Sequence, residues 1–282
     1  MNGAKFIKST QGILLFLLAL SLSSCFPSGR QKSEGHPKRI VSLVPSLTEI
    51  VYALGAESRL AGVTTFCDYP KDALTKPTVG DFLSPDPEKL EALKPDLILV
   101  TTPTQSQLAV SLKTMGYRVA VFRDPSSIKE MLEQIESLAD TVGVHEKGKR
   151  LADSLRRELA SIEKRETVSV YVEISSSPLI TVGKTYITDG LEKIGLRNVF
   201  SEREGYPAID QEEVIKRSPR VILLLYPGAS RESVLSRIGW SGIPAVRERL
   251  VFDSLPLDEM MRPGPRFVGA LVKTDSIVTH AH

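Results

Sequence analysis

Residues 86–100 read DPEKLEALKPDLILV, and residues 210–224 read DQEEVIKRSPRVILL. The two segments align without a gap at a constant offset of 124 positions, with five identical pairs among fifteen. Phe82 and Tyr206 keep the same offset, so an aromatic residue stands six positions before the glutamate that both segments share. Each segment predicts a capped helix, a turn and a buried strand, which indicates two similar lobes with something between them. A unit of this kind is also common in α/β proteins, so a chance resemblance between the two segments is the alternative.

The rest of the chain alternates short apolar runs with amphipathic stretches, which is typical of βα units around mainly parallel sheets. We predict strands at residues 40–44, 60–64, 97–100, 118–122, 168–174, 221–225 and 250–252, and helices at 127–142 and 266–278. Residues 146–166 predict a charged helix whose apolar stripe consists of Leu151, Leu155, Leu159 and Ile162. Such a helix would be about 30 Å long. It suits a rigid bridge between two lobes, and an ordinary surface helix of one larger domain is the alternative.

The amino terminus predicts export. Lys5 and Lys8 precede the apolar residues 13–20, and small residues then lead to Cys25. This order is typical of a secretory signal, and an apolar run this short cannot span a bilayer, which needs about 20 residues. The residues that end at Cys25 resemble a bacterial lipobox, so we expect residues 1–24 to be a lipoprotein signal peptide and Cys25 to carry lipid. A plain signal with an incidental cysteine is the alternative. Residues 25–38 lack periodicity and predict a flexible tether.

Charge and cysteine content narrow the class of protein. The chain has 36 basic and 34 acidic residues, and removal of Lys5 and Lys8 with the signal leaves a formally neutral domain. Neutral overall charge gives no support to a nucleic-acid surface, which needs clustered excess charge. Cys25 and Cys67 are the only cysteines, so a lipid on the first leaves no internal disulfide. Stability must therefore come from burial of apolar side chains.

The two glutamates of the repeat, Glu88 and Glu212, each fall in the first turn of a predicted helix. Asp86 is a good N-cap, and Asp210 with Glu213 matches a capping-box pattern. The simple interpretation is compensation of the helix dipole, worth about 0.3–1 kcal/mol each. The alternative is a matched pair of exposed carboxylates, one per lobe, for a partner with two basic sites. The residues by themselves favour the first interpretation.

Several motifs resemble the cobalamin-binding proteins of ABC importers. They are RIVSLVPSLTE at residues 39–49, GVT at 62–64, CDYP at 67–70, LKPDLI at 93–98, GYRV at 116–119, GK at 183–184 and RPGPR at 262–266. The resemblance covers nearly all of residues 39–278, in order. It implies the class III solute-binding architecture, in which two similar α/β lobes are joined by a single long helix. The solute-binding domain would be residues 39–282, with an N-lobe at about 39–144, a bridging helix at about 145–166 and a C-lobe at about 167–282.

The resemblance also implies a ligand site in the cleft between the lobes. Positions that contact cobalamin in the family correspond to Phe66, Phe82, Tyr206, Asp258 and Arg262. Aromatic rings can cover a flat macrocycle at small cost in rotamer entropy, although core packing is the alternative for each. Phe82 and Tyr206 stand where the best-known member of the family has tryptophans, and the only tryptophan of this sequence is Trp240. A smaller or more polar ligand is therefore an alternative.

The family docks one surface glutamate from each lobe onto arginines of the permease dimer, and these glutamates correspond to Glu88 and Glu212. The resemblance therefore shifts the interpretation of this pair towards docking. It implies a lipid-anchored, monomeric receptor, periplasmic or on the outer face of the cell membrane. This receptor would deliver cobalamin or a related corrinoid to the permease, and haem or a ferric siderophore is the alternative ligand.

Other chemistry finds little support in the residues. Cys67 could ligate cobalt or iron, but a lone cysteine among apolar residues is usually an inert core residue. The four histidines are scattered without metal-site spacing, so we predict no bound metal ion and no resident cofactor. An extracytoplasmic α/β hydrolase would need a nucleophile, and the sequence contains neither Gly-x-Ser-x-Gly nor His-Glu-x-x-His. We therefore predict that the protein is not an enzyme.

Overall fold

A computed structural model describes residues 35–163 and 165–280. These residues form two α/β lobes, each built on its own sheet and connected by one helix. The predicted signal peptide, Cys25 and most of the predicted tether lie outside the described residues. Within the described part of the chain, none of the helices has the length and apolar character needed to cross a membrane.

The first lobe contains four parallel strands in the order β2-β1-β3-β4. Its elements are β1 (Ile40–Ser42), α1 (Pro45–Ala53), β2 (Leu60–Val63), α2 (Pro87–Leu93), β3 (Leu97–Thr102), α3 (Ser106–Thr114), β4 (Val119–Arg123) and α4 (Ile128–Thr141). Every predicted strand of this lobe is present, with ends within two residues of the prediction. Short 3₁₀ turns at Glu57–Arg59 and Lys71–Thr75 complete the lobe.

The second lobe has a mixed sheet in the order β6-β5-β8-β9, and β7 also pairs with β5. Its elements are β5 (Val168–Ser176), β6 (Leu179–Thr181), α6 (Tyr186–Lys193), β7 (Leu196–Asn198), α7 (Gln211–Arg217), β8 (Val221–Leu224), α8 (Arg231–Leu235), α9 (Pro244–Arg247), β9 (Val251–Phe252), α10 (Leu257–Met261) and α11 (Pro265–Thr279). Only β6 runs antiparallel to its neighbour.

The connecting helix is α5 (His145–Ala160), which ends six residues before the predicted limit. It ends where Ser161 donates from its backbone nitrogen to Arg157 and from its hydroxyl to the Glu158 carbonyl. A serine hydroxyl competes with the helix ladder in this way. The predicted apolar stripe packs as expected, with Leu155 buried and the other three members partly buried. Helix α5 lies along α4 and contacts α11 of the second lobe, and the lobes also touch directly where α4 meets α6 and α1 meets α11.

The repeat seen in the sequence is a repeat in three dimensions. Helices α2 and α7 begin and end at positions that differ by 124, and so do the first residues of β3 and β8. Both helices end at a left-handed residue, Lys94 with φ 45° and Ser218 with φ 50°. The caps differ, however. Asp86 accepts from two backbone nitrogens, whereas Asp210 makes no side-chain cap, so the predicted capping box is wrong. Its partner Glu213 is bound by Arg203 instead, at 2.6 Å.

Alternate residues of the equivalent strands face different cores. Leu97 and Leu99 of β3 and Val221 and Leu223 of β8 belong to one apolar cluster that also includes side chains of α1, α4, α5, α6 and α11. We call this shared core the central cluster. The intervening residues face outward, where α2 covers one sheet and α7 covers the other. Each sheet therefore packs one face against the same layer of helices. The loops that follow the strands lie at the boundary between the lobes.

Candidate functional site

Loops from both lobes meet at the carboxyl ends of the parallel strands. Phe66 follows β2, Asp124 follows β4, Tyr206 precedes α7, and Arg262 follows α10. Ligands of open α/β sheets bind at this end, because loops rather than helices occupy it. We call the region defined by these residues and Phe82 the inter-lobe cleft. Phe66 and Tyr206 are 55% and 43% exposed, so both rings are accessible to a ligand.

Phe82 differs from the other two aromatic residues because it is partly buried against the central cluster. Its loop is held by the buried side chain of Gln105, whose amide nitrogen donates to the Phe82 carbonyl at 2.5 Å and to the Leu43 carbonyl at 3.3 Å. The amide oxygen of Gln105 accepts from the Thr101 nitrogen at 2.8 Å. The Phe82 loop is thus fixed to the end of β3. Gln105 was not predicted, and its sequence carries no signal for this role.

The Tyr206 loop is fixed by close backbone contact with the segment after β6. Gly183 donates to the Gly205 carbonyl at 2.8 Å, and Lys184 donates to the Arg203 carbonyl at 2.6 Å. A Cβ atom at Gly183 would come within 2.3 Å of the Arg203 carbonyl oxygen. The Gly-Lys pair of the sequence therefore has a structural use, since only glycine permits this approach. It presents Tyr206 at the cleft.

Asp124 lies opposite Tyr206 and was not predicted as a site residue. Its Oδ1 accepts from the Thr101 hydroxyl at 2.6 Å, and burial raises the pKa of its carboxyl although this hydrogen bond lowers it. The hydroxyl of Tyr206 lies among protein atoms, and this partial burial, together with the negative charge on Asp124, raises the pKa of Tyr206 to about 12. The phenol is therefore neutral at physiological pH and can act as a hydrogen-bond donor.

Arg262 is largely engaged by acids of the first lobe. Its Nη1 donates to Asp68 at 2.6 Å and to Glu49 at 3.0 Å, while Asp258 lies 4.0 Å from Nη2. Burial disfavours the charged guanidinium, but the hydrogen bonds to Asp68 and Glu49 outweigh it and raise the pKa of Arg262. The hydrogen bond from Arg262 is also the main reason that the pKa of Asp68 is lowered. The expected polar pair is thus part of a contact between the lobes.

Glu49 is the centre of this contact. Its side chain is only 3% exposed, and both oxygens accept from Arg266, with Nε at 2.7 Å from Oε2. The Arg266 guanidinium also stacks over Tyr69, 3.8 Å from the ring centroid. Glu49 and Tyr69 belong to the first lobe, and both arginines belong to the second. An acid on the buried face of α1 was a readable signal, because such residues are almost never buried without a partner.

The two glutamates of the repeat are placed alike. Glu88 and Glu212 are both exposed in the first turns of α2 and α7. Neither carboxylate makes an ion pair or a side-chain hydrogen bond with any residue that the structure describes. Neighbouring acids do have partners, since Asp86 lies 3.9 Å from Lys89 and Glu213 binds Arg203. The two glutamates are therefore available to a basic partner.

Cys67 and Trp240 lie in the cores. Cys67 is buried, and the hydroxyls of Thr48 and Thr64 lie 3.2 and 3.3 Å from its sulfur. Trp240 is fully buried in the second lobe, beneath the guanidinium of Arg237 at 4.2 Å. Among residues 35–163 and 165–280, no group of three or more histidine, cysteine, aspartate or glutamate side chains could hold a metal ion.

Two lobes around a loop-lined cleft with exposed aromatic rings are suited to binding a solute between them. The chain belongs to the periplasmic binding protein family, whose model matches residues 40–255. The prediction of a non-enzymatic solute-binding protein with two α/β lobes is therefore confirmed.

The chain is similar to several known proteins over most of its length. It is 35% identical over 244 residues to the uncharacterized ABC transporter substrate-binding lipoprotein YvrC of Bacillus subtilis, covering 82% of this chain and 77% of that protein. It is 29% identical over 244 residues to a vitamin B12-binding protein of Vibrio parahaemolyticus, covering 84% and 87%. A crystal structure from Staphylococcus epidermidis, described as a possible iron-binding (periplasmic solute-binding) protein, superposes with a TM-score of 0.75 at 32% identity, covering 86% and 98%.

Proposed function

We propose that this protein is a lipid-anchored, extracytoplasmic receptor that captures cobalamin or a related corrinoid and delivers it to the permease of an ABC importer. The observation that supports the proposal is the pair of exposed rings, Phe66 and Tyr206, which belong to loops of opposite lobes. A large flat ligand between two such rings loses water from both faces, and this is a strong source of affinity. The vitamin B12-binding relative and the substrate-binding lipoprotein YvrC support the same assignment.

The ligand is tested by titration of the soluble chain that begins at Phe26. We expect saturable one-to-one binding of cyanocobalamin, without chemical change of the ligand. The variant Phe66→Ala/Tyr206→Ala should bind at least about tenfold more weakly, since loss of one aromatic contact costs about 1 kcal/mol or more. Ile238→Ala is the control for loss of an exposed apolar side chain, because Ile238 is 94% exposed. Binding of hemin or a ferric hydroxamate chelate, with none of cyanocobalamin, would replace the corrinoid by one of these ligands.

Docking is supported by the unpaired carboxylates of Glu88 and Glu212, which occupy equivalent positions on the two lobes. Charged contacts of this kind mainly accelerate and orient association. We expect Glu88→Lys/Glu212→Lys to keep its ligand affinity and to lose ligand uptake in cells. The control is Glu146→Lys/Glu232→Lys, which reverses two exposed first-turn glutamates of α5 and α8 outside the repeat. Normal uptake by the first variant would remove the docking role.

The lipid anchor is proposed from the sequence around Cys25. We expect the full-length chain to sediment with membranes and to incorporate labelled fatty acid. The variant Cys25→Ser should do neither, because the thiol is the attachment point and the preceding apolar segment is too short to span the bilayer. Membrane association of that variant equal to the unaltered chain would indicate an uncleaved signal instead of an acyl anchor.

A further inference from the structure

Asp124 is placed in the cleft by the end of the first sheet. Its backbone nitrogen donates to the Thr102 carbonyl at 2.8 Å, directly after the last residue of β4. The Thr101 hydroxyl donates to Oδ1 at 2.6 Å and lies 3.1 Å from the Phe122 carbonyl. The carboxylate is thus oriented by two neighbouring strands, and such a position on rigid elements suits a recognition group.

Among the described residues, the charge on Asp124 has no counter-ion. No lysine, arginine or histidine among the described residues forms an ion pair with it, and its Oδ2 has no hydrogen-bond partner there. Asp124 is only partly buried, and its Oδ2 is accessible to solvent. The groups that face it from the second lobe, Tyr206 and Tyr186, are neutral phenols at physiological pH, with raised pKa values.

The cations nearest the cleft do not supply the missing charge. Arg262 is bound by Glu49 and Asp68, and Arg266 is bound by Glu49. A carboxylate that is partly buried without a cation costs free energy unless a ligand supplies donors for it. Within the part of the chain that the structure describes, Asp124 is therefore a negative acceptor that neither Arg262 nor Arg266 neutralises.

We infer that Asp124 is a specificity-determining residue of the cleft, which accepts hydrogen bonds from peripheral N–H groups of the ligand and repels ligands with peripheral carboxylates. This inference rests on the proposed function and deepens it. A corrinoid carries primary amides on its rim and gains donors for Oδ2. Haem carries two propionates, and either of them would meet an uncompensated negative charge at this edge. Discrimination between the two macrocycles then follows from charge, whereas the exposed aromatic rings accept both.

The test compares Asp124→Asn with the unaltered soluble chain, using cyanocobalamin and hemin as probes. The substitution keeps the shape of the side chain and removes its charge. We expect cyanocobalamin to bind about tenfold more weakly, because a hydrogen bond to a charged group is replaced by one to a neutral group. Hemin should bind more tightly to the variant than to the unaltered chain. Asp140→Asn is the matched control, since Asp140 lies at the far end of α4 and should change neither affinity.

The outcomes separate this inference from the proposed function. If cyanocobalamin binds the unaltered chain and both affinities are unchanged in Asp124→Asn, the corrinoid assignment stands and the role of Asp124 is refuted. Equal changes in the same direction for both probes also refute it, because they indicate altered cleft shape rather than charge. If the unaltered chain binds only hemin and the variant binds it more tightly, the corrinoid assignment fails and charge selection stands. Asp124→Ser, measured alongside, provides the same comparison if the asparagine variant does not fold.

Discussion

Neutralisation of Glu49 should destabilise the protein more than the loss of an exposed ion pair would, because Glu49 is the buried centre of the contact between the lobes. In Glu49→Gln, Arg262 keeps its 2.6 Å hydrogen bond to Asp68, whereas Arg266 keeps the stacking on Tyr69 and one distant acid, Glu259 at 3.8 Å. Removal of one partner from a buried ion pair costs about 3–5 kcal/mol, because the remaining charge stays buried. The two guanidinium side chains are 16% and 19% exposed and can recover some hydration, so we expect the lower end, about 3 kcal/mol.

This destabilisation can be read from the thermal midpoint of the soluble chain. For a domain of this size, 1 kcal/mol corresponds to about 2–4 °C, so Glu49→Gln should lower the midpoint by about 6–12 °C. Glu232→Gln is the control, because Glu232 is 73% exposed and pairs with Arg249 at 3.1 Å. Exposed pairs contribute little, and its midpoint should fall by less than about 2 °C. Equal shifts for the two variants would show that the contact around Glu49 does not stabilise the fold.

Two further expectations concern local conformation and pH. Lys94→Gly and Ser218→Gly should each raise the thermal midpoint by about 2–4 °C, because a left-handed conformation costs a non-glycine residue about 1 kcal/mol and glycine avoids this cost. A lower midpoint in either variant would contradict a left-handed turn at that position. Asp124→Asn should be more stable than the unaltered chain at pH 7. Burial raises the pKa of Asp124 in the folded state, so folding favours the protonated form, and stability falls as the pH rises above the ordinary value of 3.8. Denaturation at several pH values should show the difference disappear below that value, and a constant difference would oppose the reasoning.

The repeated unit could be predicted because its signals are local. An unbroken apolar run predicts that β3 and β8 are buried on both faces, the Asp86 cap marks the start of α2, and the proline of each turn follows the end of α2 or α7. The strands β6 and β7 were not predicted, because each has only three residues and so no measurable period. The packing of α4, α5 and α11 between the lobes escaped as well, because an apolar stripe shows that a helix is covered but not what covers it.

Some residues of the candidate site could likewise be identified from the sequence, and others could not. Exposed aromatics in loops and first-turn glutamates can be identified from position in the chain, and the structure leaves Phe66 and Tyr206 exposed. Glu49 and its two arginines are more than 200 positions apart, so only the folded chain brings them together. Asp124 had a signal that was not used. A polar residue directly after a buried parallel strand stands where α/β folds bind their ligands.

The two surfaces of the repeat are under different physical demands, and their residues differ accordingly. Under the proposed docking, a permease dimer offers two equivalent basic sites, which requires equal charges at equal positions. Glu88 and Glu212 satisfy this on backbones that match residue for residue. A single ligand in the cleft has no such symmetry. There the equivalent aromatics diverge: Phe82 is partly buried and tied down by Gln105, whereas Tyr206 stays exposed and faces the charge of Asp124. The docking residues are therefore alike in the two lobes, whereas the cleft residues differ. A substitution in the cleft can change ligand specificity without changing how the protein docks onto the permease.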